Sequence, residues 1–393
     1  MMRNLNRRLE KLIDLARNGE KIRIAILGLG SVGHYLLDYL VAWPDQELEI
    51  YVAGRDREKI EKDVNIIRVA NVIKYNRSKT IHLRLLDLEN LDSLAEFFYE
   101  VQPHFAINTS RVYSGLKYGS ISWPKIRAYG LWCPLSIRYI RNIMLGVQQA
   151  GVDPMVINTS YSDAVIAWLK SAGLAYPDFG SGNLNHLIPR IKFAAAAQLK
   201  ADCLEDLEVV LATSHYHDVV ISKEGHDDGC PPLLHINFKG KQAKIDLPSL
   251  WQACALAMPT DAKRNMMNAA SNFEIITKTL MALKNGRRAL IHIPGIDGEI
   301  GGYPINLDFQ PGSVAAATFN EDYFTLDEMR AANRHSIYFD GIEKVEDGAL
   351  FYTDELLAKV KSEFKSEVPK KIPYTDIDLV SSQIIREIIK PVS

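Results

Sequence analysis

The stretch Gly28-Leu29-Gly30-Ser31-Val32-Gly33 decides how the first half of this chain folds. It follows the apolar run Ile22–Leu27 and opens a segment, 31–43, whose apolar residues recur at helical spacing. A strand, a glycine turn and a helix in this order predict a dinucleotide-binding site.

Each glycine of the turn has a separate role in that prediction. Gly28 allows the tight turn, and Gly30 removes the side chain that would block a pyrophosphate. Gly33 lets the helix pack closely on the strand. The helix begins at Ser31 and Val32, and its free N–H groups are expected to point at the phosphates.

Length, composition and net charge limit which kinds of protein this chain can be. The chain has 393 residues, 47% of them hydrophobic and 24% charged, which indicates two globular domains. The formal net charge of −2 argues against nucleic acid as a partner. The four cysteines lack metal-site spacing, so we expect reduced thiols, a cytoplasmic location and no metal. No apolar run is long enough to span a membrane, and residues 1–20 predict an amphipathic packing helix rather than a secretion signal.

Strands and helices alternate over residues 22–182, which is typical of a doubly wound parallel sheet. The predicted strands are Ile22–Leu27, 48–53, 81–86, Phe105–Asn108 and Met155–Asn158. Ligands bind beyond the carboxyl ends of such strands, so Asn108 is predicted to contact the cofactor. The rhythm breaks in the long segment 109–134, which predicts a substrate loop in which Arg111 meets an acidic group.

The pattern changes after residue 182. It predicts a helix over 185–199, antiparallel strands, one long helix within 249–284, and a charged helical C-terminus. The predicted strands are 209–221, 233–239, 242–247, 289–293 and 303–309. The fold class is therefore α/β, a Rossmann domain over 1–160 with an N-terminal helix, followed by an α+β substrate domain over 161–393.

The end of the second strand bears on the choice of cofactor. It reads Gly54-Arg55-Asp56, where a dinucleotide site usually has an acidic residue for the ribose hydroxyls. The Arg55 guanidinium suits a 2′-phosphate, which favours NADP and leaves NAD possible. Asp87 ends the third strand, where it either reaches the adenine or forms a helix-entry turn.

Two segments resemble the lactate and malate dehydrogenase family. Asn158 ends a strand, Ala167-Trp168 follows, and Gly180-Ser181-Gly182 comes next, although Thr159 replaces the family's proline. The segment 224–240 is similar to the family's histidine loop, and His226 stands at the histidine position. The resemblance implies an NAD(P)-dependent dehydrogenase whose second domain is of lactate and malate dehydrogenase type.

The resemblance also implies roles for individual residues. His226 is expected to donate and accept the proton, and Asn158 to position the substrate oxygen or the nicotinamide. Asn185 takes the place of the family's aspartate and is expected to hold His226. Ile188 takes the place of the arginine that grips the substrate carboxylate, so Arg190 is expected to serve a small acidic substrate instead. A homodimer is expected from the resemblance alone.

Other interpretations remain open at this point. Residues 52–56 and 86–90 also resemble the nucleotide domain of saccharopine dehydrogenases, which implies chemistry at a C–N bond. The departures at Asn185 and Ile188 fit a non-catalytic, cofactor-binding regulatory protein. A strand carrying His215 and His217 offers a weaker alternative, a metal site shared with His226. A Cys230 nucleophile paired with His226 is weaker still.

Overall fold

The computed structural model describes residues 5–313 and 315–392. Six parallel strands form the main sheet in the order β3-β2-β1-β4-β5-β6. These strands are β1 (Ile22–Leu27), β2 (Leu48–Gly54), β3 (Thr80–Leu85), β4 (Phe105–Asn108), β5 (Met155–Asn158) and β6 (Phe179–Gly180). The order reverses direction between β1 and β4, as in a Rossmann fold, which confirms the predicted doubly wound sheet.

The helices of the first half pack on both faces of this sheet. They are α1 (Leu5–Lys11), α2 (Ile13–Arg17), α3 (Ser31–Ala42), α4 (Arg57–Tyr75), α5 (Leu91–Val101), α6 (Gly115–Lys125), α7 (Cys133–Gln149) and α8 (Ser162–Ser171). The predicted N-terminal helix is present as two short pieces, and residues 1–4 lie outside the described residues. Helix α6 falls inside the predicted loop 109–134, so that prediction of a loop was wrong for 115–125.

The second half is built from three small antiparallel sheets and the helices between them. Its strands are β7 (Leu207–Ala212), β8 (Leu233–Phe238), β9 (Lys241–Gln242), β10 (Arg288–Pro294), β11 (Gly302–Asp308), β12 (Ala317–Phe319), β13 (Ile342–Glu346), β14 (Ala349–Tyr352) and β15 (Lys371–Pro373). Its helices are α9 (Asn183–Leu199), α10 (His215–Glu224), α11 (Leu247–Cys254), α12 (Asn265–Asn285), α13 (Leu326–Phe339), α14 (Asp354–Phe364), α15 (Ile377–Ile384) and α16 (Lys390–Val392).

The structure corrects the prediction of a strand over 209–221. Strand β7 ends at Ala212 and helix α10 begins at His215. The backbone N–H of His215 donates to the Asp163 carboxylate at 2.9 Å, a helix start supplied by a distant segment. The β-branched residues of this helix resemble a strand, but tertiary contacts override that local preference.

The long helix predicted to cover much of 249–284 is present as α12, and the separate short helix α11 precedes it and ends at Cys254. A second prediction for this half was wrong in part. The C-terminus is not purely helical, since β13, β14 and β15 form a sheet there. Strands β13 and β14 are joined by Asp347 and Gly348, both with positive φ, as a tight hairpin turn requires.

Among the described residues, two of the three apolar cores draw on both halves of the sequence, and the third lies within the second half. One joins α5, α7 and α8 to the C-terminal strands and helices. The other joins α3 and α4 to α12, β10 and β11. No helix among the described residues is long and apolar enough to cross a membrane. The boundary predicted near residue 160 stays a prediction.

Candidate functional site

The glycine turn between β1 and α3 has the geometry that its sequence predicts. Gly28 has φ +102°, and a Cβ atom there would lie 1.8 Å from the Ser110 Oγ. A Cβ atom at Gly33 would lie 2.3 Å from the carbonyl oxygen of Gly28. At Gly30, by contrast, an added Cβ would meet nothing within 4 Å. The first and last glycines are therefore needed for packing, whereas Gly30 keeps space free above the turn.

A cleft opens beside this turn at the carboxyl ends of β1, β2 and β3. Its volume is about 230 Å³. Gly28, Gly30, Arg55 and Asp87 line it, as does Arg111. Ser31, Val32 and Gly33 form the first turn of α3 directly after Gly30, and the Ser31 hydroxyl accepts a hydrogen bond from Asn265 at 2.6 Å. The predicted cofactor residues of the first three strands thus lie around one cleft.

The charged residues of this cleft differ in whether another part of the protein already binds them. The Asp56 carboxylate caps α4 by accepting the N–H of Lys59 at 3.0 Å. The Arg55 side chain is exposed, and within residues 5–313 and 315–392 it has no hydrogen bond or ion pair. Lys59 also lines the cleft. The Asp56 carboxylate therefore already serves as a helix cap, whereas the Arg55 guanidinium is available to a ligand. This arrangement suits an anionic group on the ligand.

Asn108 and Asn158 end adjacent strands and bind each other. The Asn108 Nδ2 donates to the Asn158 Oδ1 at 2.9 Å, and both side chains are fully buried. The Asn158 Nδ2 in turn donates to the carbonyl of Ser160 at 2.9 Å and to the hydroxyl of Ser162 at 3.2 Å. This amide shapes the loop after β5, and its polar atoms are engaged by the protein itself.

The structure does not bring His226 to the strand ends. His226 follows the end of α10 in an exposed turn, where half of its side chain is accessible. Its Nε2 lies 3.2 Å from a Glu224 carboxylate oxygen, and its Nδ1 accepts the N–H of Asp228 at 3.2 Å. The predicted contact with Asn185 is not formed.

Asn185 and Arg190 also have partners other than those expected. The Asn185 Nδ2 donates to Glu274 at 3.1 Å and to the carbonyl of His292 at 3.2 Å. The buried Arg190 donates from Nη1 to the carbonyl of Cys254 at 3.0 Å and from Nη2 to the Met258 sulfur at 2.9 Å. Only the Arg190 Nε is without a partner, so the guanidinium fork is not free to clamp a carboxylate.

Another histidine, His215, lies just beyond β5. Its Nδ1 lies 2.7 Å from the carboxylate of Asp340, which is fully buried. Its ring lies 4.9 Å from that of Tyr161, in the loop after β5, and 4.9 Å from that of Tyr129. Within the described chain no residue bonds its Nε2, so that nitrogen is available to exchange a proton.

Asp340 organises this cluster. Besides His215, its carboxylate accepts the hydroxyl of Tyr161 and, at 2.7 Å, the backbone N–H of Tyr129. A carboxylate with several donors is held in one orientation, and it fixes which imidazole nitrogen carries the proton. The arrangement is a histidine–aspartate pair whose second nitrogen faces away from the acid.

The charges around His215 favour its protonated form. Burial lowers the pKa of His215, but attraction to Asp340 and Asp163 outweighs it, so the pKa is raised overall. Burial also raises the pKa of Asp163 to about 6, against the opposing effect of His215. The imidazole therefore holds its proton more tightly than a free histidine does, which favours the form that can act as a general acid.

The segment 109–134 covers this cluster and is latched to α10. Arg127 donates to Asp228 at 2.7 Å and to the hydroxyl of Tyr216 at 2.9 Å, and it forms an ion pair with Glu224. Its guanidinium also lies over the Trp123 ring at 5.2 Å. A cover over the site excludes water, which strengthens electrostatic interactions beneath it.

Two weaker alternatives from the sequence, a metal site and a Cys230 nucleophile, find no support in the structure. Among the described residues there is no group of three or more His, Cys, Asp and Glu side chains that could hold a metal ion. Cys230 lies 3.4 Å from the Nδ1 of His335 rather than beside His226. Burial raises the pKa of this thiol to about 11, which leaves it a poor nucleophile.

Comparisons with known proteins give the same fold. No family model and no curated protein matches the chain. Lactate dehydrogenase from Eimeria maxima, solved with NADH and oxamate, aligns at 12% identity and a TM-score of 0.53, covering 81% of this chain and 92% of its own. Malate dehydrogenase from Cryptosporidium parvum aligns at 11% identity and a TM-score of 0.51, covering 81% and 96%.

A third structure agrees with these two. Lactate dehydrogenase from Cryptosporidium parvum, solved with lactic acid and nicotinamide adenine dinucleotide, aligns at 12% identity and a TM-score of 0.54, covering 81% of this chain and 95% of its own. The fold is that of the lactate and malate dehydrogenases. The fold-level resemblance predicted from the two short segments is confirmed, and at these identities the likeness concerns fold alone.

Proposed function

We propose that this protein is an NAD(P)-dependent oxidoreductase that transfers a hydride between nicotinamide and a small carbonyl or hydroxy compound. The observation that carries the proposal is the pairing of His215 with Asp340 at 2.7 Å, just beyond β5. In a sheet of this order a dinucleotide crosses the carboxyl edge where the strand order reverses. An adenosine half in the cleft at β1 and β2 leaves the nicotinamide half toward β4 and β5, beside His215.

The residues of the cleft fit a dinucleotide. The free space above Gly30 and the N–H groups at the start of α3 suit a pyrophosphate. The unpaired Arg55 suits a 2′-phosphate, and the capping role of Asp56 removes the acid that would otherwise bind ribose hydroxyls. We therefore propose NADP as the preferred cofactor. The nicotinamide, when bound, supplies or accepts the hydride.

The chain itself handles the proton. In the reducing direction the protonated His215 gives the proton on Nε2 to the carbonyl oxygen, while the carbonyl carbon gains the hydride. In the oxidising direction the neutral Nε2 takes the hydroxyl proton. Asp340 accepts the Nδ1–H throughout, which orients the ring and stabilises the imidazolium form.

Two buried polar atoms of α9 support a substrate-binding role for that helix. The Nε2 of His186 and the Nε of Arg190 are buried without a partner, and such atoms call for a water or a ligand group. The His186 Nδ1 lies 3.7 Å from the carboxylate of Asp218. We propose that Arg190 contributes its Nε and its positive charge to binding an acidic substrate group.

Two substitutions test the assignment directly. We expect His215→Gln to lower kcat by about 100-fold or more, because a positioned acid–base group contributes about that much. We expect His226→Gln to leave kcat unchanged. Both variants should keep the wild-type dissociation constant for NADPH, measured by calorimetry. Turnover is followed by nicotinamide absorbance across 2-oxo acids, aldehydes and imines.

The outcomes separate the alternatives. Loss of turnover in His226→Gln with activity kept in His215→Gln would restore the assignment made from the sequence. Nucleotide binding without turnover on any substrate class would favour a cofactor-binding regulatory protein. An absence of nucleotide binding at millimolar concentration would end the oxidoreductase proposal.

A further inference from the structure

A second cleft, distinct from the one at the glycine turn, lies between α8 and α13. Its volume is about 430 Å³, within the range of small-molecule sites. One wall is the last part of α8, with Ala167 and Lys170, and another is α13, with Arg330 and Arg334. Ile300 and Val345 add apolar surface. No predicted site residue of this chain lies among its lining residues.

The three basic side chains of this cleft differ in how many hydrogen bonds and ion pairs they form with the rest of the protein. Arg330 is bound by Glu299 at 2.6 and 3.2 Å, so this pair neutralises itself. Lys170 donates to the backbone carbonyl of Asp297 and lies 3.7 Å from its carboxylate, which is 64% exposed and binds weakly. Arg334 has neither a hydrogen bond nor an ion pair within the part of the chain that the structure describes.

Arg334, which has no partner in the described part of the chain, lines the same partly apolar cleft as the Lys170 ammonium group, and this combination suits a small anion. Guanidinium binds carboxylate or phosphate through two parallel hydrogen bonds, and the lysine adds a point charge from the α8 wall. The apolar residues Ala167, Ile300 and Val345 accommodate a hydrocarbon or ring body. A free anion with an organic body therefore matches this cleft better than a neutral ligand does.

Both walls of the cleft lead to His215. Helix α8 carries Asp163 in its first turn, and the Asp163 carboxylate accepts the N–H of His215 at 2.9 Å. Helix α13 ends next to Asp340, the carboxylate that holds the His215 Nδ1. At about 1.5 Å per residue, Lys170 and Arg334 each lie about 10 Å along their helices from these groups.

We propose that the cleft between α8 and α13 is a regulatory site for a small organic carboxylate or phosphate, held by Arg334 and Lys170, and that its occupancy is coupled to the position of His215. The anion draws the two helices together, and their other ends carry the two carboxylates that fix the histidine. The coupling is reciprocal, so a ligand bound at His215 alters anion affinity by the same factor. Only the functional consequence, not the binding itself, depends on the proposed oxidoreductase activity.

Direct binding tests the site on the full chain without nucleotide. The probes are inorganic phosphate, phenyl phosphate and benzoate, titrated by calorimetry, with benzyl alcohol as the neutral comparison. We expect phenyl phosphate or benzoate to bind in the wild type, and Arg334→Gln and Lys170→Gln each to weaken that binding at least tenfold. The matched control is Arg68→Gln, an exposed arginine of α4 that is also without a partner in the described chain. The preferred anion distinguishes phosphate from carboxylate ligands.

A second measurement tests the coupling. With histidine labelled at its ring carbons, NMR titration follows the pKa of His215, whose signal is assigned by its loss in His215→Gln. We expect saturating anion to shift this pKa by at least 0.3 in the wild type and not in Arg334→Gln. No binding by any anionic probe at 10 mM, or equal binding by Arg334→Gln and wild type, would overturn the site. Binding without a shift would overturn the coupling. Neither result depends on turnover, so a failure of the oxidoreductase proposal is read separately.

Discussion

His215 and His226 show how the same side chain acquires opposite properties from its surroundings. His215 begins helix α10 against two buried carboxylates, and a tenth of its side chain is accessible. His226 follows the end of that helix, and half of its side chain is in solvent. The sequence around His226 matches a family pattern better, yet the acid beside His226 is partly exposed, whereas His215 is oriented by the fully buried Asp340.

The partner of His215 explains why sequence reasoning missed the pair. Asp340 lies 125 residues further along the chain, and no local spacing connects the two. By contrast, Gly28 and Gly30 lie in the turn between β1 and α3, and Arg55 follows the next strand, β2, so the candidate nucleotide cleft was predictable from short-range pattern. The end of β7 at Ala212, three residues before His215, was itself hidden in the sequence, because the pattern predicted one continuous strand over 209–221.

The proposed preference for NADP rests on a single guanidinium, that of Arg55. We expect Arg55→Gln to weaken NADPH binding about tenfold or more, because a charge-assisted hydrogen bond contributes about 1.5–3 kcal/mol. NADH binding should change by less than about twofold. Arg57→Gln is the control, since it removes an exposed arginine of α4 outside the cleft lining. Calorimetric dissociation constants for both nucleotides check this, and equal losses for the two would contradict a phosphate role.

At the scale of elements, the β1–α3 unit shows how a local sequence pattern predicts the position of the candidate ligand cleft at the edge of the sheet. Strand β1 is buried at both faces and pairs with β2 and β4, which fixes the turn at the point where the strand order reverses. Helix α10 shows the opposite case. It starts where a distant carboxylate supplies a cap, and a pattern of β-branched residues cannot reveal that.

The free space at Gly30 gives an element-level prediction. Its φ of −83° suits alanine, and an added Cβ meets no protein atom within 4 Å. We expect Gly30→Ala to leave stability unchanged but to weaken nucleotide binding at least tenfold, because the methyl group would enter the space assigned to the pyrophosphate.

Gly119 is the matched control, since it lies inside α6 and a Cβ there also meets nothing within 4 Å. Gly119→Ala should raise stability by about 0.5–1 kcal/mol and leave nucleotide affinity unchanged. Urea unfolding and NADPH titration measure the two effects. Unaltered nucleotide affinity in Gly30→Ala would place the pyrophosphate elsewhere.

At the scale of the whole molecule, the C-terminal segment contributes a side chain to the candidate site around His215. Asp340 comes from this segment, and the sheet β13-β14-β15 packs into the same core as α5, α7 and α8. The sequence predicted the Rossmann sheet well because its strands and helices alternate. It predicted the C-terminal sheet poorly because short, charged strands resemble a helical tail, although Asp347-Gly348 signals a hairpin. The homodimer and the cytoplasmic location stay predictions.

A core shared by the C-terminal strands and the Rossmann helices predicts that the two unfold together. Leu350 in β14 is fully buried in that core. We expect Leu350→Ala to lower the free energy of unfolding by about 2–5 kcal/mol, the usual cost of a large-to-small core change. The exposed Leu379 of α15, 72% accessible, is the control, and Leu379→Ala should cost less than about 0.5 kcal/mol.

Urea unfolding is followed by the fluorescence of the five tryptophans, of which Trp132 and Trp168 lie in this core, and by far-ultraviolet circular dichroism, which reports the whole chain. Coincident transitions, both shifted by Leu350→Ala, are expected because the core is continuous. An early fluorescence transition with an unshifted dichroism transition would show instead that the C-terminal layer folds on its own, and Asp340 would then reach His215 only by docking.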